Sequence, residues 1–490
     1  MAHKPLESAQ EDQDEMLPPE DVIVIDSRDK MKKNITVLRG ISLVVGTMIG
    51  TGIFITPNSI TRRVNAPATS IMIWLAGGVM AAVGGLVFSE LGTMIPLSGC
   101  EVAYLNKIYG PLPSFIALWL LYFLLSGMTR SINVLGFVKY FWALFYDNPE
   151  TEANWWATKA VALSFFFIIV VVITVKPSMI LQSIVFFTFA KLGACLIIIV
   201  TGLVSLAKGN TENIEIGFED TNTDVREWSD AFNAIIFSYG GWHTVCMVAS
   251  EMKDPQKEIP IVVCGSIAIV TFIYTLTATS FHIVVPLSVM IQDTPVASEF
   301  GLRTMGEAGK IVLAVGVVFS TLGNAQCAIL SATRMIHAGA AEGLLPSCFG
   351  LVSKRFRTPA VSIIYVAVVA AVFIVVGNLD MIISAASFIE YPFLTACSAG
   401  VLVMRITHPD LPRPYRVPLV FPVLQVLFGS YVFILPFLGE NWLMSLIWVI
   451  VGLTGVPVYY LMSKNVFEWT LLTRCNDKMA RMIGKIHDFE

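Results

Sequence analysis

Charge is the first thing this sequence has little of. Only 14% of its 490 residues are Asp, Glu, Lys or Arg, against roughly 25% in soluble domains. That shortage excludes an ordinary water-exposed globule and implies a bilayer as solvent. The eight cysteines show no CxxC and no Cys/His spacing, so neither a disulfide framework nor a metal centre is expected. The six histidines are dispersed, and no glycine-rich phosphate loop is present. A bound metal, a cofactor and an ATP-driven engine are therefore not expected. The formal net charge of -4 carries no basic tract that would call for a nucleic-acid partner. Residues 1–33 are polar and acid-rich around a short VIVI island and do not read as a secretory leader.

What the chain has in abundance is apolar runs, with 55% hydrophobic residues overall. Hydropathy punctuated by Pro, Gly and charge predicts twelve spans, near 39–60, 68–95, 112–145, 157–175, 179–206, 229–251, 258–285, 309–336, 359–376, 379–405, 417–437 and 441–463. The third is long enough to require tilt or an extension beyond the bilayer. The expected organisation is a cytoplasmic disordered tail 1–38, a first block of five spans 39–206 and an extracellular loop 207–228. A second block of five, 229–405, a final pair 406–463 and a cytoplasmic tail 464–490 follow. Most Lys and Arg fall in the tails and even-numbered loops, while loop 207–228 is acidic, so both termini are expected in the cytoplasm. The only Asn-x-Ser/Thr sequon, at Asn34, then lies inside and stays unglycosylated. Loops this small leave no room for a soluble catalytic domain, and an enzyme is not expected.

Two stretches break the helical pattern. GTMIGTGIF, residues 46–54, lies in the first span, and FSYGGWHTV, residues 237–245, in the sixth. They open two blocks of five spans, and an odd number of spans forces the blocks to run oppositely. That is the signature of an inverted repeat whose interrupted helices meet at a midplane site. Unwound backbone at that depth must line a cavity or be buried in protein. Amides freed near Thr47 to Ile53, with the start of the next half-helix, would attract a carboxylate. Carbonyls freed around Phe237, Ser238 and Tyr239 would accept from an ammonium. Together they describe a receptor for an α-amino-acid group. Close helix packing through Gly46 and Gly50 is the competing explanation for the first motif.

Lys191 lies deep in the fifth span, too far from the interface for easy snorkelling. Held against carbonyls of the broken first helix, its ammonium would stand where a coupling sodium ion would bind. Transport would then need no sodium.

GTMIGTGIF, FSELGTMIPLSGCEVAY, AKLGACLIIIVTG, FSYGGWHTV, SEMKDPQKEIP, ATRMIHAGAAEGLLP, RPYRVPLVFPVLQVL and TGVPVYYL occur in this order. Across about residues 34–465 the chain resembles the light subunits of the heteromeric, L-type-like amino acid transporters of the amino acid–polyamine–organocation superfamily. The resemblance implies an all-α membrane protein with a LeuT-like 5+5 inverted repeat, broken helices 1 and 6, and sodium-independent amino acid exchange by alternating access. It places Thr47, Ile49, Gly50, Thr51 and Gly52 around the substrate carboxylate. Phe237 becomes a gate, Ser238 and Gly240 lie near the amino group or side chain, and Lys191 is the sodium surrogate.

The chain departs from that pattern in several places. The loop after span three, YDNPETEANWW at 146–156, lacks the family's linking cysteine. No disulfide to a heavy-chain glycoprotein is expected; association is noncovalent or the chain reaches the surface alone. Thr129, Arg130, His243 and Glu390 are candidate specificity residues. Glu390 would favour cationic substrates, exchange protons, or pair with Arg130, and pairing is the preferred expectation. Glu90, Glu101, Glu251 and Arg334 sit near cytoplasmic span ends, where ion pairs would gate the inside. The expected function is sodium-independent exchange of neutral, large or aromatic amino acids at the plasma membrane; the alternative is a proton-linked or cationic amino acid carrier. A channel would want a selectivity ring, and none is visible.

Overall fold

The computed structural model describes residues 35–97, 99–124, 126–146, 154–341, 344–353, 358–438, 442–463 and 485–486. The expectations for the linking-cysteine loop, Asn34 and most of both tails fall largely outside them. Almost everything described is helix. The chain begins with α1 (Val37–Met48), α2 (Gly52–Val64), α3 (Pro67–Met94), α4 (Glu101–Tyr109) and α5 (Pro111–Ala117). A π-helical stretch at 118–124 leads into α6 (Ser126–Trp142), followed by α7 (Trp155–Val175), α8 (Pro177–Ala207) and α9 (Val225–Tyr239). After the second break come α10 (Pro255–Val284), α11 (Val296–Ala341), α12 (Ala360–Val376), α13 (Leu379–Thr407), α14 (Val420–Ile434), α15 (Trp442–Leu453) and α16 (Gly455–Ser463).

Among the described residues nine helical segments are long and apolar enough to cross a membrane, and the bent pair α1–α2 makes a tenth. The sixth and ninth expected spans fall short for different reasons. The sixth is interrupted, so α9 stops after 15 residues. The ninth, α12, has 17, about 26 Å at 1.5 Å per residue. The long third span is 111–142 and absorbs its extra length partly in the π-helical stretch. The eighth begins earlier than hydropathy indicates and kinks at Gly306, whose φ is 68°.

Packing follows from small residues. Glycines of α3 let it lie directly against α10 and α9: a side chain at Gly85 would meet Ile267 and Val263, and one at Gly77 would meet Ile235. Such close approach replaces the hydrophobic drive that lipid cannot supply. The outward faces stay apolar, with Leu75, Phe167, Ile168 and Phe272 more than 49% exposed, as suits contact with acyl chains. Proline opens α3, α5, α8 and α10, where its missing N–H costs nothing.

Candidate functional site

Between α1 and α2 the chain bends by 46° across three non-helical residues. Gly50 and Gly52 are buried, and their lack of a side chain serves close packing. A Cβ on Gly52 would lie 2.6 Å from the Cα of Ser238, and one on Gly50 would collide with the Asn324 amide. The two interrupted segments thus approach backbone to backbone at Gly52 and Ser238. The exposed carbonyls of the break are taken up one by one. Gly46 O accepts from Lys191 Nζ, Met48 O from the Tyr274 hydroxyl at 2.5 Å, and Gly50 O from Ser320 at 3.3 Å. The amides of Thr51, Gly52 and Ile53 have no backbone acceptor among the described residues, and no side chain caps α2. They are the orphan donors of a helix start, the polarity a carboxylate needs.

The second break begins where α9 ends at Tyr239. Gly241, at φ 99°, turns the chain through residues 240–243 before a one-turn helix, Thr244–Met247. Left-handed backbone there explains the glycine. The expected ammonium receptors are partly occupied: Phe237 O accepts from Gly240 N at 3.1 Å, and Ser238 O from Tyr274 at 3.1 Å. The Tyr274 hydroxyl therefore lies between the two breaks, its single proton shared between Met48 O and Ser238 O. Gly241 packs against Thr47, which is exposed although it lies in an otherwise enclosed stretch of α1. Phe237 and Gly240 are half-buried beside it. Ile49, Thr51, Ser238 and Tyr239 are buried. The Tyr239 hydroxyl donates to Trp74 O, and Ser238 bonds Thr56 at 2.7 Å. These two side chains anchor the break to α3 and α2.

A profile for the amino acid permease family matches residues 35–456. The chain belongs to the amino acid permease family. It is 34% identical to the human b(0,+)-type amino acid transporter 1, with 90% of each chain covered. It is 30% identical to the human cystine/glutamate transporter over 88% of this chain and 85% of that one. The mouse large neutral amino acids transporter small subunit 2 is also 30% identical, over 88% of this chain and 81% of its own length. The expected superfamily membership holds: this is a multi-pass membrane protein of a transporter family.

In this permease Lys191 is buried, with Nζ on the Gly46 carbonyl and 3.3 Å from Asn324 Oδ1. Its ammonium lies on the last turn of α1, beside the bend between α1 and α2. The expected Arg130–Glu390 pair is not formed. Arg130 donates to Ala328 O, its Nε is without a partner among the described residues, and Glu390 lies beside His243. The α13 backbone carries Glu390 towards the second break, while Arg130 points to α11. Thr129 is half-buried, and its carbonyl accepts from Asn133. Of the expected gate residues, Glu90 is fully buried against Arg405 at 2.5 Å and Arg413 at 3.6 Å, Glu101 meets His243, and Arg334 is exposed. Sequence reading missed Tyr274, Asn324, Ser320 and Asn133, the last bonded to Thr51 at 2.8 Å. Their only signal was polarity inside apolar runs. Metal-holding groups of three or more His, Cys, Asp or Glu are absent among the described residues.

Proposed function

We propose that this permease is a sodium-independent exchanger of neutral amino acids, large or aromatic ones included, working by alternating access in a LeuT-like 5+5 inverted repeat of twelve spans. The observation that carries the reading is the pair of helix interruptions meeting at Tyr274. The orphan amides at Thr51–Ile53 receive the substrate carboxylate, and the carbonyls around residues 237–240 receive its ammonium. Lys191 takes the place of a sodium ion: its charge satisfies Gly46 O with no ion to bind or release.

Ion pairs support a direction. Arg62 meets Asp380 at 2.6 Å, Arg63 meets Glu227 and Asp230, and Lys139 meets Asp293. With both termini in the cytoplasm, all of these lie at the outer ends of their helices. The outer side is drawn together, while Thr47, Leu43 and Ser42 along α1 are exposed towards the inside. We read this as a conformation open to the cytoplasm, in a plasma-membrane protein. Amino acids are the partners; a heavy-chain glycoprotein associates, if at all, without a disulfide. Non-reducing electrophoresis after co-expression tests that point, and a reducible heavier band refutes it.

The deciding experiment is counterflow in proteoliposomes with the purified chain. Preloaded unlabelled leucine or phenylalanine should speed uptake of the labelled one equally in sodium and in choline. Uptake that ignores the preload, or rises steeply with sodium, overturns the reading.

A further inference from the structure

The helices that supply Lys191, Tyr274 and Ser320 to the first break, α8, α10 and α11, meet again around a cavity of about 510 Å³. Glycines explain why it forms there. α8 and α10 are in contact at Gly202, where a Cβ would lie 2.4 Å from Ser280. One turn further on, Ser205 and Ile283 belong to the wall of the cavity. Gly209, at φ 88°, ends α8 in a left-handed turn and leaves Lys208 exposed on the rim. Gly306, at φ 68°, bends α11 so that a Cβ on Gly301 would lie 2.4 Å from Gly309 O. That bend sets Arg303 and Thr304 into the opposite wall. The one-turn helix Glu212–Glu215 closes one side, with Asn213 Nδ2 donating to Ile283 O at 3.0 Å.

The polar groups of this wall are only partly spent. Lys208 Nζ has no hydrogen-bond or ion-pair partner among the described residues. Arg303 binds Glu299 through Nε at 2.6 Å, which leaves its two terminal nitrogens without a partner among them. Ser205 accepts from Asn210 at 2.9 Å, so its own proton remains to donate. Glu212 is the one acid of the wall. With Glu299 behind Arg303, these two cations and two carboxylates sum to zero, which suits a zwitterion better than a simple anion. Arginine and lysine together favour a phosphate. The apolar surroundings decide what carries it. Val204 lines the cavity and continues a stripe of α8 through Val200 and Leu196, four residues apart and 47–61% exposed. The stripe runs about 12 Å along a membrane-crossing helix, enough to lie along an acyl chain but useless to a soluble zwitterion.

We propose that this cavity is a headgroup site for one zwitterionic phospholipid, its phosphodiester held by Lys208, Arg303 and Ser205, its ammonium facing Glu212, and an acyl chain lying on the α8 stripe. With both termini in the cytoplasm, this is a lipid of the outer leaflet. It joins the outer parts of the three helices that close over the first break. The test is thermal unfolding of the purified full chain in a maltoside detergent, titrated with dioleoyl phosphatidylcholine. Dioleoylglycerol, which lacks the phosphate, and glycerophosphocholine, which lacks the chains, are titrated in parallel. Phosphatidylcholine should raise the unfolding temperature of the wild type saturably, and the other two should not.

In the double variant Lys208→Gln with Arg303→Gln, the lipid concentration giving half the rise should increase at least about tenfold, the scale of one lost hydrogen bond to a charged group. Lys208→Arg, which keeps the charge, should stay near the wild type. Glu212→Gln should narrow the preference for phosphatidylcholine over phosphatidylglycerol, whose headgroup has no ammonium. An equal lipid requirement in the wild type and the double variant overturns the proposal. So does stabilisation by glycerophosphocholine alone, the mark of a soluble ligand, or by dioleoylglycerol, the mark of an apolar groove. Should the double variant not survive purification, native mass spectrometry of Lys208→Gln decides: phospholipid retained per chain should fall, and retention equal to the wild type overturns the proposal. Each readout is of binding, so a failure here leaves the transport reading untouched.

Discussion

The break at residues 49–51 is closed over by side chains from α8, α10 and α11, whereas at the break of 240–243 Gly240 and Gly241 stay half-buried. In the first, Lys191, Tyr274 and Ser320 each take one carbonyl, and Gly50 and Gly52 are packed against Asn324 and Ser238. In the second, Phe237 and Gly240 stay half-buried, with Glu390 open beside them. Unwinding a helix in lipid frees groups that must find partners. The carbonyls of the first break have found them in the protein, while the amides of Thr51, Gly52 and Ile53 have not. The second is less enclosed, and under the proposed function it meets the substrate's ammonium and side chain. Substitutions around the first should therefore disable transport of every substrate, and those around the second should alter which substrate is chosen.

The largest effect that would sharpen this contrast is at Lys191. Lys191→Met strands the Gly46 carbonyl and should lower uptake of all substrates by about 100-fold, the upper range for a charged hydrogen bond. Uptake into proteoliposomes containing matched amounts of protein checks it; a change confined to one substrate breaks the contrast. Next is Gly52→Ala, whose new Cβ would lie 2.6 Å from Ser238 Cα. Overpacking against backbone should cost about 1–3 kcal/mol of stability, read as a lower unfolding temperature together with lost transport. Gly46→Ala is its control, because a Cβ there meets nothing within 4 Å. Equal damage from both would mean that the glycines serve flexibility rather than packing.

Tyr274→Phe removes the hydroxyl that joins Met48 O to Ser238 O. We expect roughly tenfold slower exchange, in line with about 1–3 kcal/mol for leaving buried acceptors unsatisfied, with lysine and leucine affected alike. The smallest effect belongs to the outer ion pairs. Arg63 is 19% exposed and its partners about 40%, so Arg63→Gln should shift exchange by at most about fivefold, the worth of a solvent-accessible pair. The loss should grow smaller still at high salt. A complete block by this variant would show that the outer closure, not either break, limits turnover.

Much of the permease was legible along the chain. Apolar length marked most of the spans, and glycine clusters marked both interruptions, because neither signal depends on which helices become neighbours. Lys191 was legible for the same reason: a charge at that depth is costly wherever the helix packs. Tyr274 and Asn324 were not, since one polar residue in an apolar run is silent until a free carbonyl is placed opposite it. Arg130 and Glu390 were misjoined for a related reason. Arg130 is buried and Glu390 is not, and α6 and α13 present them to different neighbours, Ala328 O and His243.

The amino-acid order by itself determined that this chain lives in a bilayer, roughly where most of its spans lie, and where glycine clusters interrupt two of them. Those properties follow from local composition and from the cost of exposing backbone to hydrocarbon. Only the tertiary structure decided what each freed carbonyl bonds, which glycines touch another segment, and that Glu101 and Glu390 both come beside His243. Partners far apart in sequence are chosen by packing, and packing is set by all the helices at once.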